Sequence, residues 1–162
     1  MQRWLSLLSN APGVSSWLLS IAHSIGGWVR AAVFLLERSA VGRGFAVVHE
    51  LVSTRTKEEL TQTFASAVLE QNRCISKRDP RSGNREAIRY AAAAKDLLNG
   101  GHQSIEAFVT LLSHFEPSVR AMAAAFLLEV RTAVAVETLR PIAAGSDLAA
   151  LGAQMTLHEI VS

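Results

Sequence analysis

Six basic side chains, Arg73, Lys77, Arg78, Arg81, Arg85 and Arg89, fall within one short stretch, and only Asp79 and Glu86 stand against them there. An arginine fork holds two oxygens of a phosphate or carboxylate at once. Arg85 and Arg89 are four apart, which places them on one face of a helix. Two kinds of chemistry follow: an acidic protein surface gripped by the forks, or a nucleic-acid backbone. The plainer reading is a solvated loop in which Asp79 pairs with a neighbouring arginine. Single-stranded nucleic acid would call for stacking aromatics, and Tyr90 alone is nearby.

The other reactive types are thinly spread. His49-Glu50 and His158-Glu159 are halves of a zinc-hydrolase motif, but Ser53 and Ser162 stand where the second histidines belong. Cys74 is the single cysteine, so an intrachain disulfide and a multi-cysteine zinc site are excluded. Arg73 and Lys77 near it could lower its pKa; an inert, half-buried thiol is the simpler expectation. Gly26-Gly27 and Gly100-Gly101 are isolated pairs, not a phosphate-cradling loop, and Glu58-Glu59 suit a helix start. These residues predict no catalysis, no metal and no cofactor.

The elements that would position the basic cluster are helices. Hydrophobic residues make up 49% of the 162 and alanine is abundant, which suits packed helices rather than a sheet. The formal net charge is only +2, so any claim on nucleic acid rests on clustering. The organising stretch is Phe108–Val130. Ile105, Phe108, Leu111, Leu112 and Phe115 recur at helical spacing, predicting a buried face over Ser104–Phe115. Pro117 suits a first helical turn. Val119, Met122, Ala123, Phe126, Leu127 and Val130 give the next helix, over Pro117–Arg131, a broad apolar face. Its small residues Ala121, Ala123, Ala124 and Ala125 allow close helix approach.

Before it, Thr56 and Glu59 form a capping box that opens a helix ending near Ser76, with Leu60, Phe64, Ala67, Val68 and Ile75 inward. Lys77–Asn84 reads as a loop. A second helix follows, capped by Ser82 or Asn84, with Ile88, Ala91, Ala92, Leu97 and Leu98 apolar, and Gly100-Gly101 ends it. After the central pair come Ala133–Ala144, kinked or shortened by Pro141, and Asp147–Val161. A shift of thirty residues lays Leu112 on Ile142, Ala123 on Ala153 and Val130 on Ile160. A shift back by thirty-one lays Val119 on Ile88, Arg120 on Arg89 and Ala123 on Ala92. Periods of this size mark stacked helical hairpins.

Residues 1–53 read as a separate apolar extension, with the domain spanning 54–162. From Trp4 to Val29 there is no carboxylate, lysine or arginine. Ser16, Ser20, His23, Gly27 and Arg30 make one narrow polar stripe on the segment 14–36. Three readings stay open for it: a helix packed on the domain, a membrane-surface helix, or a weakly inserting span. The expected location is accordingly cytoplasmic, with membrane association through 14–36 as the alternative.

Leu111-Leu112, then Glu116, Pro117, Val119-Arg120 and Ala123-Ala124, resembles a HEAT repeat. From about 57 to 160 the chain also resembles a small bacterial family of HEAT-like proteins catalogued as a domain of unknown function. Leu60, Phe64, Glu70-Gln71, Asp79, Asn84-Arg85 and Met155-Thr156-Leu157 with Glu159 carry that second resemblance. It implies an all-α fold, a short right-handed α-solenoid of three HEAT-like hairpins. It further implies a non-enzymatic module that binds another protein, of the regulator or immunity type by analogy. Nucleic-acid binding through the 73–89 cluster is the alternative. The expected binding residues are Arg78, Arg81, Arg85, Arg89 and Arg120, with the last two laddered on adjacent hairpins.

Overall fold

The computed structural model describes residues 55–161, all within one compact unit. Six helices account for them: α1 (Lys57–Ser76), α2 (Pro80–Asn99), α3 (His102–Thr110) with a 3-10 turn at Leu111–Ser113, α4 (Pro117–Leu127), α5 (Thr132–Ala143) and α6 (Leu148–Val161). Among the described residues there is no strand, so this region is all-α. The apolar extension 1–53, with its stripe at 14–36, lies outside them. No helix among the described residues is long and apolar enough to cross a membrane.

α1 opens as its capping box dictates. Glu59 N–H donates to Thr56 Oγ1 at 3.2 Å, and Thr56 N–H donates to Glu59 Oε2 at 2.9 Å. Leu60, Phe64, Ala67 and Val68 are buried beneath it. The helix closes on Arg78, which takes a left-handed conformation (φ 57°). Arg78 N–H donates to Ile75 O at 3.0 Å and Asp79 N–H to Cys74 O at 2.9 Å, the paired bonds that end a helix around a left-handed residue.

The expected loop 77–84 is mostly helix. Asp79 caps α2 by accepting from Ser82 N–H at 3.1 Å, and Pro80 takes the first helical position. The cap therefore stands earlier than Ser82 or Asn84. The inward face of α2 also differs from expectation. Gly83, Ala87, Tyr90, Ala93, Ala94 and Leu97 are buried, whereas Ile88 is 56% exposed and Ala92 is exposed. Tyr90 is inward because its ring joins an aromatic cluster. Phe64 sits edge-on to Tyr90, Phe108 and Phe126, with centroids 5.8, 5.0 and 5.9 Å away, and Tyr90 meets Phe126 at 6.2 Å. Four helices are joined at this one point.

Gly101, at φ 80°, turns the chain into α3. The helix expected through Phe115 stops at Thr110, tightens into the 3-10 turn that buries Leu111 and Leu112, and gives way to extended backbone at His114. Phe115, expected in the core, is 77% exposed. The residue before a proline avoids helical backbone, and Glu116 before Pro117 is extended; Phe115 therefore falls in a turn and not on a helical stripe.

α4 buries Val119, Ala121, Ala123, Ala124 and Leu127, with Met122 and Phe126 half-buried against the core. It ends at Leu127, so Val130 lies beyond the helix and is exposed. α4 packs on α1, α5 and α6, and touches its sequence neighbour α3 less than any of these. Pro141 stands in the last turn of α5, which stops at Ala143. Asp147 opens α6 by accepting from Ala150 N–H at 2.8 Å.

Burial follows the thirty-residue repeat at Leu112 and Ile142, both buried, at Ala123 and Ala153, both buried, and at Val130 and Ile160, both exposed. The thirty-one-residue repeat fails, since Val119 is buried and Ile88 is not. Burial instead matches Val119 with Tyr90 and Ala123 with Ala94.

Phe64 is fully buried and touches three rings. Phe64→Ala will lower unfolding free energy by about 3–5 kcal/mol. Phe126→Ala, at a half-buried ring, will cost less. Urea denaturation measures both; a Phe64→Ala midpoint at the wild-type value would remove the cluster from the core.

Candidate interaction surface at the α1–α2 turn

Four of the five expected binding residues gather where α1 hands over to α2. Arg78 is the left-handed residue of the turn, and Arg81, Arg85 and Arg89 follow on α2, all exposed. Because Asp79 and Pro80 start the helix early, these three step along a helical surface. Local partners then sort them. Arg89 Nη1 pairs with Glu86 Oε2 at 3.1 Å, and Arg85 Nη2 donates to Ser82 Oγ at 3.2 Å. Arg73 pairs with Glu70 at 3.3 Å. The side chains of Lys77, Arg78 and Arg81 make no ion pair or hydrogen bond among the described residues.

Asp79 does not neutralise them by a direct ion pair. Its carboxylate is held below its ordinary range chiefly by the side chain and backbone N–H of Ser82, then by the Arg81 N–H and the charge of Arg85. It is occupied as a helix cap. The exposed turn therefore keeps a surplus of cations.

Arg120 belongs elsewhere. Its Nη1 donates to the carbonyl of His114 at 2.7 Å and to that of Phe115 at 3.0 Å, bracing the turn before α4. The expected ladder with Arg89 does not form: Arg89 is engaged by Glu86, and the alignment that made the two equivalent is contradicted by burial. Arg120 also lines an open cleft of about 410 Å3 walled by Leu112, Pro117, Pro141 and Ile142, with Asp147 at its edge. Nothing in the sequence reading anticipated this cleft. The Glu116-Pro117 step was the available signal, because it ends a helix before the proline.

The remaining reactive side chains are quiet. Cys74 is buried, and burial, followed by the nearby charges of Glu70, Asp79 and Glu86, pushes its thiol up; Lys77 opposes this more weakly. Tyr90 is pushed up to about 12 by burial, with its hydroxyl hydrogen-bonded to the Gln71 side chain. It offers no exposed face for a base to stack on. Glu106 accepts from Arg131 Nη2 at 2.6 Å, a bond that lowers its carboxyl and ties α3 to the turn after α4. Among the described residues no three His, Cys, Asp or Glu side chains converge as metal ligands would. His49-Glu50 lies outside them.

The described region is all-helical, with a basic turn between α1 and α2 and a braced turn before α4. No family model, curated protein or solved structure matches the chain.

Two predictions follow from these partners. Arg120→Ala will lower stability by about 1.5–3 kcal/mol, the range for hydrogen bonds to a charged group, whereas Arg81→Ala and Arg85→Ala will leave the urea midpoint unchanged. A stable Arg120→Ala variant would deny the brace. The second concerns acid. Asp79 has a folded pKa below its unfolded value, so its contribution is complete above the unfolded value, near pH 4. It is lost as pH falls through the folded value. Asp79→Asn keeps a capping oxygen and removes the titration, so its melting temperature will fall less than that of wild type between about pH 4 and pH 2.

Proposed function

We propose that this chain is a non-enzymatic helical-repeat module that binds an acidic surface of another protein through Arg78, Arg81 and Arg85. In this reading the six helices form a short right-handed stack of three HEAT-like hairpins, which such folds use to present an extended surface. The HEAT-like order of Leu111-Leu112, Pro117, Val119-Arg120 and Ala123-Ala124 supports the stack, as does the matched burial of Leu112 with Ile142 and Ala123 with Ala153. Arg89 flanks the patch with its charge partly met by Glu86, and Arg120 is left out of it.

One observation carries the reading. Arg78 occupies a left-handed backbone position that is usually glycine where helices end this way. A side chain there costs roughly 1–2 kcal/mol, and the Arg78 side chain makes no hydrogen bond or ion pair among the described residues that would offset it. A strained residue whose side chain has no bonding partner within the fold is a candidate for an external one. Its neighbours Lys77 and Arg81 are likewise unpaired, which suits a partner rich in carboxylates.

The test is Arg78→Gly. Relief of strain will raise stability by about 1 kcal/mol, while capture of the protein partner from an extract of the source cell, read by mass spectrometry, falls. Arg81→Ala with Arg85→Ala will lose capture at unchanged stability. Full capture by both variants would make the patch plain solvated surface. If mixed-sequence DNA duplex instead binds with an affinity that falls steeply as salt rises, and displaces the protein partner, the nucleic-acid alternative replaces this reading.

A further inference from the structure

Phe115 is the most exposed large hydrophobic side chain among the described residues, at 77%. It is also held from several sides. Its ring stacks on His114, with centroids 4.5 Å apart and planes 27° from parallel. Its carbonyl accepts from Arg120 Nη1 at 3.0 Å, and the next residue, Glu116, donates its N–H to His114 Nδ1 at 3.1 Å. An apolar ring is thus fixed in water where a looser turn would let it fold back. Nearby is the cleft lined by Leu112, Pro117, Pro141 and Ile142, with Arg120, Thr138 and Asp147 as its polar lining. Pro117, two residues on, and Arg120, bonded to the Phe115 carbonyl, both line it, so the Phe115 main chain borders the cleft.

We infer that this surface pairs with a second copy of itself about a twofold axis, each Phe115 ring entering the cleft of the other chain. Three features select that occupant. A twofold contact needs one patch to carry both halves of the fit, and this patch carries a ring and a cavity together. The cavity of about 410 Å3 admits a phenyl ring with ease, since about 150 Å3 already holds a benzene. The charges suit it too, because the lining carries one cation, Arg120, and one carboxylate, Asp147, which a twofold rotation can set against their opposites. An apolar peptide would fill the cleft and leave Phe115 in water; a polyanion would meet Asp147 and proline walls. The contact is built from α4, α5 and the turns beside them, not from the α1–α2 turn, and does not depend on the function proposed for that turn. Two buried rings remove only a few hundred Å2 from water, so the pairing is weak and concentration-dependent.

The experiment is photocrosslinking with p-benzoylphenylalanine at position 115 of the full chain, in an equal mixture of unlabelled and nitrogen-15-labelled protein. The expected product joins position 115 of one isotope to residues 138–147 of the other. In parallel, sedimentation velocity over a concentration series will show self-association that Phe115→Ala weakens by about a hundredfold, two aromatic contacts at about tenfold each, at an unchanged melting temperature. Phe115→Trp, which restores a ring, will retain it. A chain that stays monomeric overturns the inference, as does self-association untouched by Phe115→Ala. So do crosslinks confined to one isotope, to residues outside the cleft, or, in an extract of the source cell, to a different protein in place of a second copy.

Discussion

The Phe64 ring is the contact on which the arrangement of α1 to α4 depends. It stands on α1, is fully buried, and meets one aromatic ring from each of α2, α3 and α4 edge-on. Each such pair contributes about 0.5–1.5 kcal/mol beyond the area it buries, and the geometry is directional where aliphatic packing is not. The consequence reaches the surface. Because Tyr90 must turn inward to meet Phe64 and Phe126, Ile88 cannot. Two positions along a helix rotate the side chain by about 200°, so α2 presents Arg81, Arg85 and Ile88 outward. The basic face is exposed because the aromatic cluster fixes the rotation of the helix that carries it.

α4 depends on a second constraint, the size of its side chains. Ala121, Ala123 and Ala124 are buried with no bulk beyond Cβ, which lets this short helix contact α1, α5 and α6 together. A helix used as a hub in this way packs on more than its sequence neighbour, and α3 is correspondingly short and drawn toward α1 and α2. The 3-10 turn at Leu111–Ser113 reconciles the two. It buries Leu111 and Leu112 within three residues and releases the chain before Pro117.

Local signals in the sequence were legible where chemistry within three or four residues decides the outcome. The Thr56–Glu59 box, the α1 face of Leu60, Phe64, Ala67 and Val68, and the glycine end of α2 stand as the residues require. Periodicity misled where two apolar stripes compete on one helix. In α2, Ile88 and Ala92 make as good a stripe as Ala87, Tyr90 and Ala94, and only the long-range meeting with Phe64 chooses between them. It misled again at Phe115, where spacing assumed a helix that Pro117 had already ended. The role of Arg120 was out of reach for a related reason, since its acceptors are main-chain carbonyls that exist as a target only once the turn is formed. The cationic residues at 78, 81 and 85 were legible as a cluster. Which of them stay unpaired was not, because that depends on whether Asp79 caps a helix or meets an arginine.

The two turns share a physical logic. At Arg78 the backbone sits in a left-handed well, locked by Arg78 N–H to Ile75 O and Asp79 N–H to Cys74 O. At Phe115 the chain turns between extended His114 and Glu116, locked by Arg120 and by the His114 ring. In each case a side chain that would gain by being elsewhere, an arginine without a carboxylate and a phenyl ring without a core, is held at the surface by bonds made through the main chain. Main-chain locking leaves the side chain itself free to contact something else. It also removes in advance much of the ordering entropy that association would otherwise cost. A flexible loop carrying the same residues would lose that entropy on every encounter. Among the described residues the fold places Phe64, Tyr90, Phe108 and Phe126 at the joints between helices, and uses main-chain hydrogen bonds to hold Arg78 and Phe115 at the surface.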